Sequence, residues 1–186
     1  MPDARSVLLV MDFQRGVVDR VPDSPALAAA GRAVAAARTA SVPVMFVRVA
    51  FRPGYPEVAA SNRTFSALAA AGDGMAQDNP ATQIHPALAP RPDEPIILKR
   101  RVSAFSGSDL DVLLRGAGAD TLVLAGIATS GVVLSTVRQA ADLDYRLTVL
   151  ADACDDFDPE VHRVLLEKVF PRQATVTTTD AWAATL

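Results

Sequence analysis

The feature that most constrains the fold is the alternation of short, unbroken apolar runs with stretches of helical periodicity. Residues 7–11 (VLLVM) form one such run, closed by Asp12, which is the pattern of a strand buried on both faces. Ser24, Pro25 and the Ala-rich stretch to residue 38 predict a helix with serine at its cap and proline in its first turn. A second buried strand is predicted over 42–49. Residues 50–94 carry six prolines and are the least regular part, with short helices expected around 64–70 and 83–88. A strand at 95–99, a helix through 110–115 capped by Ser106 or Ser108, and a strand over 121–125 ending at Gly126 follow. Thr129 or Ser130 is expected to cap a helix through Val133, Val137 and Ala141. A strand at 146–150, a helix from Asp158 to 169 and a last strand at 174–178 complete the chain. Strand and helix alternate throughout. The expected architecture is therefore α/β: one three-layer domain over 1–186, its parallel sheet covered by helices on both faces.

Composition narrows the functional classes. With 186 residues, half of them hydrophobic and 21% charged, the chain has the material for one well-buried core. A formal charge of -3 offers no basic face, so no nucleic-acid partner is expected. One cysteine and two histidines make neither an internal disulfide nor an ordinary zinc site. The first apolar run is short and flanked by Asp3 and Asp12, which fits neither a membrane span nor a signal peptide. A cytoplasmic protein without membrane association is expected. Among 18 basic residues only Lys99 and Lys168 are lysines, which singles out Lys99, since an ammonium offers a movable charge that a guanidinium does not.

In open α/β sheets ligands bind beyond the carboxyl ends of the strands. The first predicted strand ends in Asp12, the third in Lys99 and the fourth in the Gly126–Thr129 turn. If those three strands are neighbours, a carboxylate, an ammonium and the amides of a helix start converge on one crevice. Each residue also has a plain structural reading, as a turn former, a solvated lysine and a tight turn.

The motifs at these strand ends resemble those of the isochorismatase-like hydrolases. Val10-Met11-Asp12-Phe13-Gln14 is similar to that family's D-x-Q motif, and Lys99 through Phe105 (KRRVSAF) resembles its K-x-R-x-S-A-F segment. Leu124 through Thr129 (LAGIAT) resembles its G-x-x-T turn, and Asp152-Ala153-Cys154 a common later strand end. The resemblance implies a six-stranded, mostly parallel sheet, a homodimer or larger homo-oligomer, and a small-molecule substrate. It implies catalytic roles for Asp12 and Lys99, and an oxyanion or substrate-binding role for the amides of Ala128 and Val132, with a cis peptide at Ile127-Ala128. Gln14, Thr129 and Arg48 join the candidate substrate-binding residues on the same ground. No cofactor is expected, and no metal, because residues 48–52 (RVAFR) lack the histidine that the family's nicotinamidases carry there.

The chain departs from the thiol members of the family at one place. Their nucleophilic cysteine follows the turn threonine by three positions, where this chain has Val132. A valine has no lone pair, so thiol catalysis from that position is impossible. Cys154, Ser130 and Ser135 remain as alternative nucleophiles. The other route needs none: Asp12 protonates a vinyl ether carbon and water attacks the resulting cation, as the resemblance to isochorismatases proper implies. Burial raises the Asp12 pKa for that task and Lys99 lowers it. A non-catalytic member that keeps the pocket as a binding or interaction protein is the competing reading.

Overall fold

The computed structural model describes residues 5–186, so Asp3, which entered the reading of the N-terminus, lies outside the described residues. Six parallel strands form one sheet: β1 (Ser6–Met11), β2 (Val44–Val49), β3 (Ile96–Lys99), β4 (Thr121–Ile127), β5 (Arg146–Asp155) and β6 (Thr175–Thr177). Their order is β3-β2-β1-β4-β5-β6. The β1 run is apolar at every position from Val7 to Met11 because both of its faces are covered. Val7, Leu9 and Met11 pack into one core layer with Leu122, Leu124, Val137 and Phe170. Leu8 and Val10 pack into the other with Ala29, Ala33, Val123 and Ala125.

Helices α1 (Arg15–Val18), α2 (Ala26–Thr39), α3 (Arg63–Ala70), α4 (Leu110–Gly116), α5 (Leu134–Asp142), α6 (Pro159–Val164) and α7 (Thr179–Ala183) complete the layers. The alanines of α2 form its buried face, with Ala26, Ala29, Ala30, Ala33 and Ala37 all buried. Ser24 accepts a hydrogen bond from the Ala26 amide, and Ser108 one from the Leu110 amide, as the capping pattern predicts. Asp158 caps α6 through the amides of Glu160 and Val161. No helix among the described residues is long and apolar enough to cross a membrane.

Three expectations need correction. β1 and β3 are not neighbours, because β2 lies between them. β5 runs on to Asp155, well past the apolar stretch, and an irregularity near Leu124 and Gly126 restores its pairing at Gly126–Cys154 and Ile127–Asp155. Neither Thr129 nor Ser130 caps the helix with its side chain; Ala128 opens a wide turn over Thr129–Val133 that leads into α5.

Candidate active site

The strand order reverses between β1 and β4: from β1 the chain steps outward to β2 and β3, then returns to the other side. A crevice opens at such a reversal, outside the carboxyl ends of the strands. β1 and β4 pair in register through Met11–Gly126, so Asp12 emerges beside Ile127. The close approach explains Gly126. A side chain there would meet Met11 O at 3.0 Å and Val133 Cγ2 at 3.1 Å, so only glycine lets β1 and the turn come together.

Asp12 sits at φ 57°, a left-handed conformation that aspartate tolerates better than most residues. Its Oδ2 lies 2.8 Å from Lys99 Nζ, so the lysine side chain spans the end of β2 to reach β1. Lys99 also donates to the carbonyls of Arg101 at 3.1 Å and Val102 at 2.9 Å. An ammonium has three protons, and all three are engaged. Lys99 is 1% exposed and Asp12 6%. Asp12 Oδ1 is buried without a hydrogen-bond partner. Burial pushes the Asp12 carboxyl above its ordinary range and outweighs the Lys99 ammonium, which pulls it down.

The segment carrying Lys99 is tied to the helix that follows the turn. Ser103 Oγ lies 2.6 Å from Gln139 Oε1, and the Ala104 amide donates to Thr136 Oγ1 at 3.0 Å. The turn is held from the opposite side. Thr129 Oγ1 lies 2.8 Å from His162 Nδ1, and the Ser130 amide donates to Asp156 Oδ2 at 2.6 Å. The Ile127-Ala128 peptide is cis. Ala128 O accepts from the amides of Gly131 and Val133, which leaves Val132 between them on the turn, its side chain 2% exposed in the core layer that also holds Phe105 and Cys154.

Asp12 and the Ala128–Val132 turn stand at the ends of adjoining strands and the Lys99 side chain reaches Asp12 across the end of β2, whereas the polar groups of Gln14 and Arg48 are engaged elsewhere. Gln14 bonds both the amide and the carbonyl of Val49 and also Thr82 O, each at 2.9 Å. Arg48 donates to Gln77 O and to Thr82. Arg52 pairs with Glu57 at 2.7 Å. Cys154 is buried, and desolvation pushes its thiol up to about 12, with Asp152 and Asp155 adding to the rise and a hydrogen bond from Gly126 opposing it. Among the described residues no group of three or more metal-ligating side chains is placed to hold an ion.

This geometry can be set beside known proteins. The isochorismatase domain matches residues 6–181. The chain belongs to the isochorismatase family. It is 37% identical over 179 residues to the phenazine biosynthesis protein PhzD1 of Pseudomonas aeruginosa, covering 95% of this chain and 84% of that one. It is 33% identical over 189 residues to the ureidoacrylate amidohydrolase RutB of Methylobacterium radiotolerans, covering 89% and 73%. An isochorismatase family protein from Burkholderia thailandensis superposes with a TM-score of 0.83 at 28% identity, covering 98% of this chain and 95% of that one.

Within this isochorismatase-family frame, sequence reasoning missed four groups that hold the site: His162, Asp156, Gln139 and Thr136. His162 and Asp156 lie 33 and 26 residues from their partners on the turn. No local pattern marks such pairs. The Asp155-Asp156 doublet after a strand was the one available signal.

Proposed function

We propose that this isochorismatase-family chain hydrolyses a small molecule by acid–base chemistry at Asp12 and Lys99, with no cysteine nucleophile, and that the bond cleaved is a vinyl ether. The observation that carries the reading is a carboxyl raised by burial and set on an ammonium whose three protons are all engaged, beside a valine where a thiol nucleophile would stand. Raising a carboxyl by burial favours its protonated form and suits it to act as a general acid. Asp12 delivers its proton to the terminal vinyl carbon, which leaves an oxocarbenium ion. Water adds to that cation and returns a proton to Asp12. The resulting hemiketal breaks its ether bond to give a ketone and an alcohol. The carboxylate formed in the first step lies 2.8 Å from Lys99, so the fixed charge favours the moment at which the proton leaves. Lys99 serves as a charge and not as a base, since its protons are held by Asp12 and two carbonyls.

The amides of Ala128 and Val132 are assigned to polar groups of the substrate, and Thr129, held by His162, to fixing the turn that presents them. Gln14 and Arg48 hold the loop after β2 against the strand ends. The similarity to both a phenazine biosynthesis protein and an amidohydrolase supports a frame that serves more than one reaction, with position 132 selecting between them. A homodimer or larger assembly in the cytoplasm belongs to the same reading. Exposed Val102 and Leu143, 38% and 43% accessible, support the assembly, and sedimentation showing only a 19.6 kDa species removes it.

The test uses purified protein with isochorismate as the vinyl ether and ureidoacrylate as the amide. The expected result is turnover of the first only, lost about 10²–10⁴-fold in Asp12→Asn. Amide turnover abolished by iodoacetamide overturns the reading. The close packing of Val132 favours a second reading, a binding protein without chemistry, for which neither compound is turned over.

A further inference from the structure

The segment after β5 grips the turn after β4 at two consecutive residues. The Ser130 amide donates to Asp156 Oδ2 at 2.6 Å, and Thr129 Oγ1 lies 2.8 Å from His162 Nδ1. The two grips are joined to each other. Asp156 Oδ1 accepts from the Asp158 amide, and Asp158 Oδ1 accepts from the amides of Glu160 and Val161. Asp158 O in turn accepts from the His162 amide. His162, in the first turn of α6, is thereby held at a fixed place relative to Asp156, and the pair braces Thr129 and Ser130.

The hydrogen between Thr129 and His162 can be assigned. Thr129 is 0% exposed, and its hydroxyl has no other partner among the described residues. If that hydroxyl only accepted, its own hydrogen would be buried without a partner, which native interiors avoid. The hydroxyl is therefore the donor and Nδ1 the acceptor, so the half-buried ring carries its hydrogen on Nε2. The basic nitrogen that faces the turn is spent on Thr129 and is not free to act as a base. Ala128, which precedes Thr129, accepts at its carbonyl from the amides of Gly131 and Val133. A shift of Thr129 thus carries the Ala128 peptide with it, and through those bonds the Val132 amide.

We propose that His162 is a positioning residue: a neutral acceptor at Nδ1 that fixes Thr129 and, with Asp156, sets the direction of the Ala128 and Val132 amides, exchanging no proton with the substrate. This rests on the reading that those amides hold polar groups of the substrate. It adds that a segment some 30 residues further along the chain governs how well they do so.

The chain has two histidines, so the ring nitrogens of histidine-labelled protein fall into two sets, told apart by His85→Gln. At about pH 8, above the ordinary histidine range, nitrogen NMR is expected to show His162 Nδ1 without a hydrogen and its signal displaced in Thr129→Val. In His162→Leu, hydrogen exchange over residues 129–133 is expected to rise about three- to tenfold, with β1 and β2 unchanged. KM for isochorismate is expected to rise by a similar factor with kcat within about twofold, the pattern of weakened binding. His162→Asn, whose Oδ1 stands as many bonds from Cα as Nδ1 does, is expected to restore both. Thr129→Val is expected to match His162→Leu and to add nothing to it in the double variant. If the proposed hydrolysis itself fails and wild type shows no turnover, the ring-nitrogen and exchange measurements still decide this assignment. A hydrogen on Nδ1, or unchanged exchange over 129–133 in His162→Leu, overturns it. So does a kcat that collapses at unchanged KM and is not restored by His162→Asn, since His162 then carries a proton.

Discussion

Replacing Lys99 by methionine removes a charge from the most buried ion pair among the described residues and leaves three acceptors without this donor: Asp12 Oδ2, Arg101 O and Val102 O. Breaking one side of a buried pair costs about 3–5 kcal/mol. The loss divides into two parts with different pH dependence. The two carbonyls lose a donor at every pH, at about 1 kcal/mol each. The Asp12 carboxyl, already raised by burial, rises further once the ammonium that lowers it is gone. Holding a carboxyl of ordinary pKa 3.8 protonated at pH 7 costs about 1.4 kcal/mol per pH unit, which caps this part at about 4 kcal/mol. The sign follows from the folded pKa lying above the unfolded one. The penalty of burying the charge is felt in full above the folded pKa and fades as pH falls toward 3.8. Because the variant has the higher folded pKa, its deficit relative to wild type narrows as pH falls through that folded pKa toward 3.8. Asp12→Asn keeps an acceptor for Lys99 but leaves its buried ammonium without a counter-charge, and it too is expected to cost about 3–5 kcal/mol, with a deficit that does not narrow on acidification toward about pH 5.5. Urea unfolding followed by the fluorescence of Trp182, the sole tryptophan and a core residue, measures all three proteins. A Lys99→Met deficit that is independent of pH refutes the account of a buried carboxyl raised by desolvation and held down by Lys99.

Cys154 is expected to resist iodoacetamide in the folded protein, since a thiol pushed up to about 12 is thiolate only at a fraction on the order of 10⁻⁴ near pH 8; mass spectrometry before and after unfolding checks it. Val132→Cys puts a thiol on the turn after β4 at a position as buried as Cys154, so labelling faster than Cys154 in the same molecule, with a depressed pKa read from its pH dependence, is the expected sign of activation by Asp12 and Lys99 and not of exposure. Gln14→Ala removes three hydrogen bonds to Val49 and Thr82 and is expected to destabilise by about 2–3 kcal/mol, with hydrogen exchange rising first in residues 76–84.

Much of the frame was legible because burial on both faces writes itself into sequence as unbroken apolar runs. β1, β2 and β4 were visible for that reason, and Asp12 and Lys99 stood out as the charges that end such runs. Strand order was not legible, since periodicity carries no information about neighbours. Lys99 meets Asp12 although β2 separates their strands, because a lysine side chain is long enough to cross one strand end. β5 was cut short at 150 because Asp152 and Asp155 interrupt the apolar pattern, while its pairing with β4 continues through Cys154 and Asp155. The capping expectation at Thr129 and Ser130 failed for a related reason. A hydroxyl before a helix reads locally as a cap, but here His162 takes the Thr129 hydroxyl and Asp156 takes the Ser130 amide, both from far along the chain. Local rules held where partners are local, as at Ser24, Ser108 and Asp158.

The central claim is that Asp12 gives its proton to carbon and that no covalent enzyme intermediate forms. Turnover of isochorismate in deuterium oxide, with the product analysed by mass spectrometry and NMR, tests it most directly. An exchangeable carboxyl proton delivered to the vinyl carbon leaves a deuterium on the new methyl group of the ketone, and the same label is lost with activity in Asp12→Asn. Product formed at the wild-type rate by Asp12→Asn, or a covalent adduct on the protein in intact-mass spectra taken during turnover, contradicts the account.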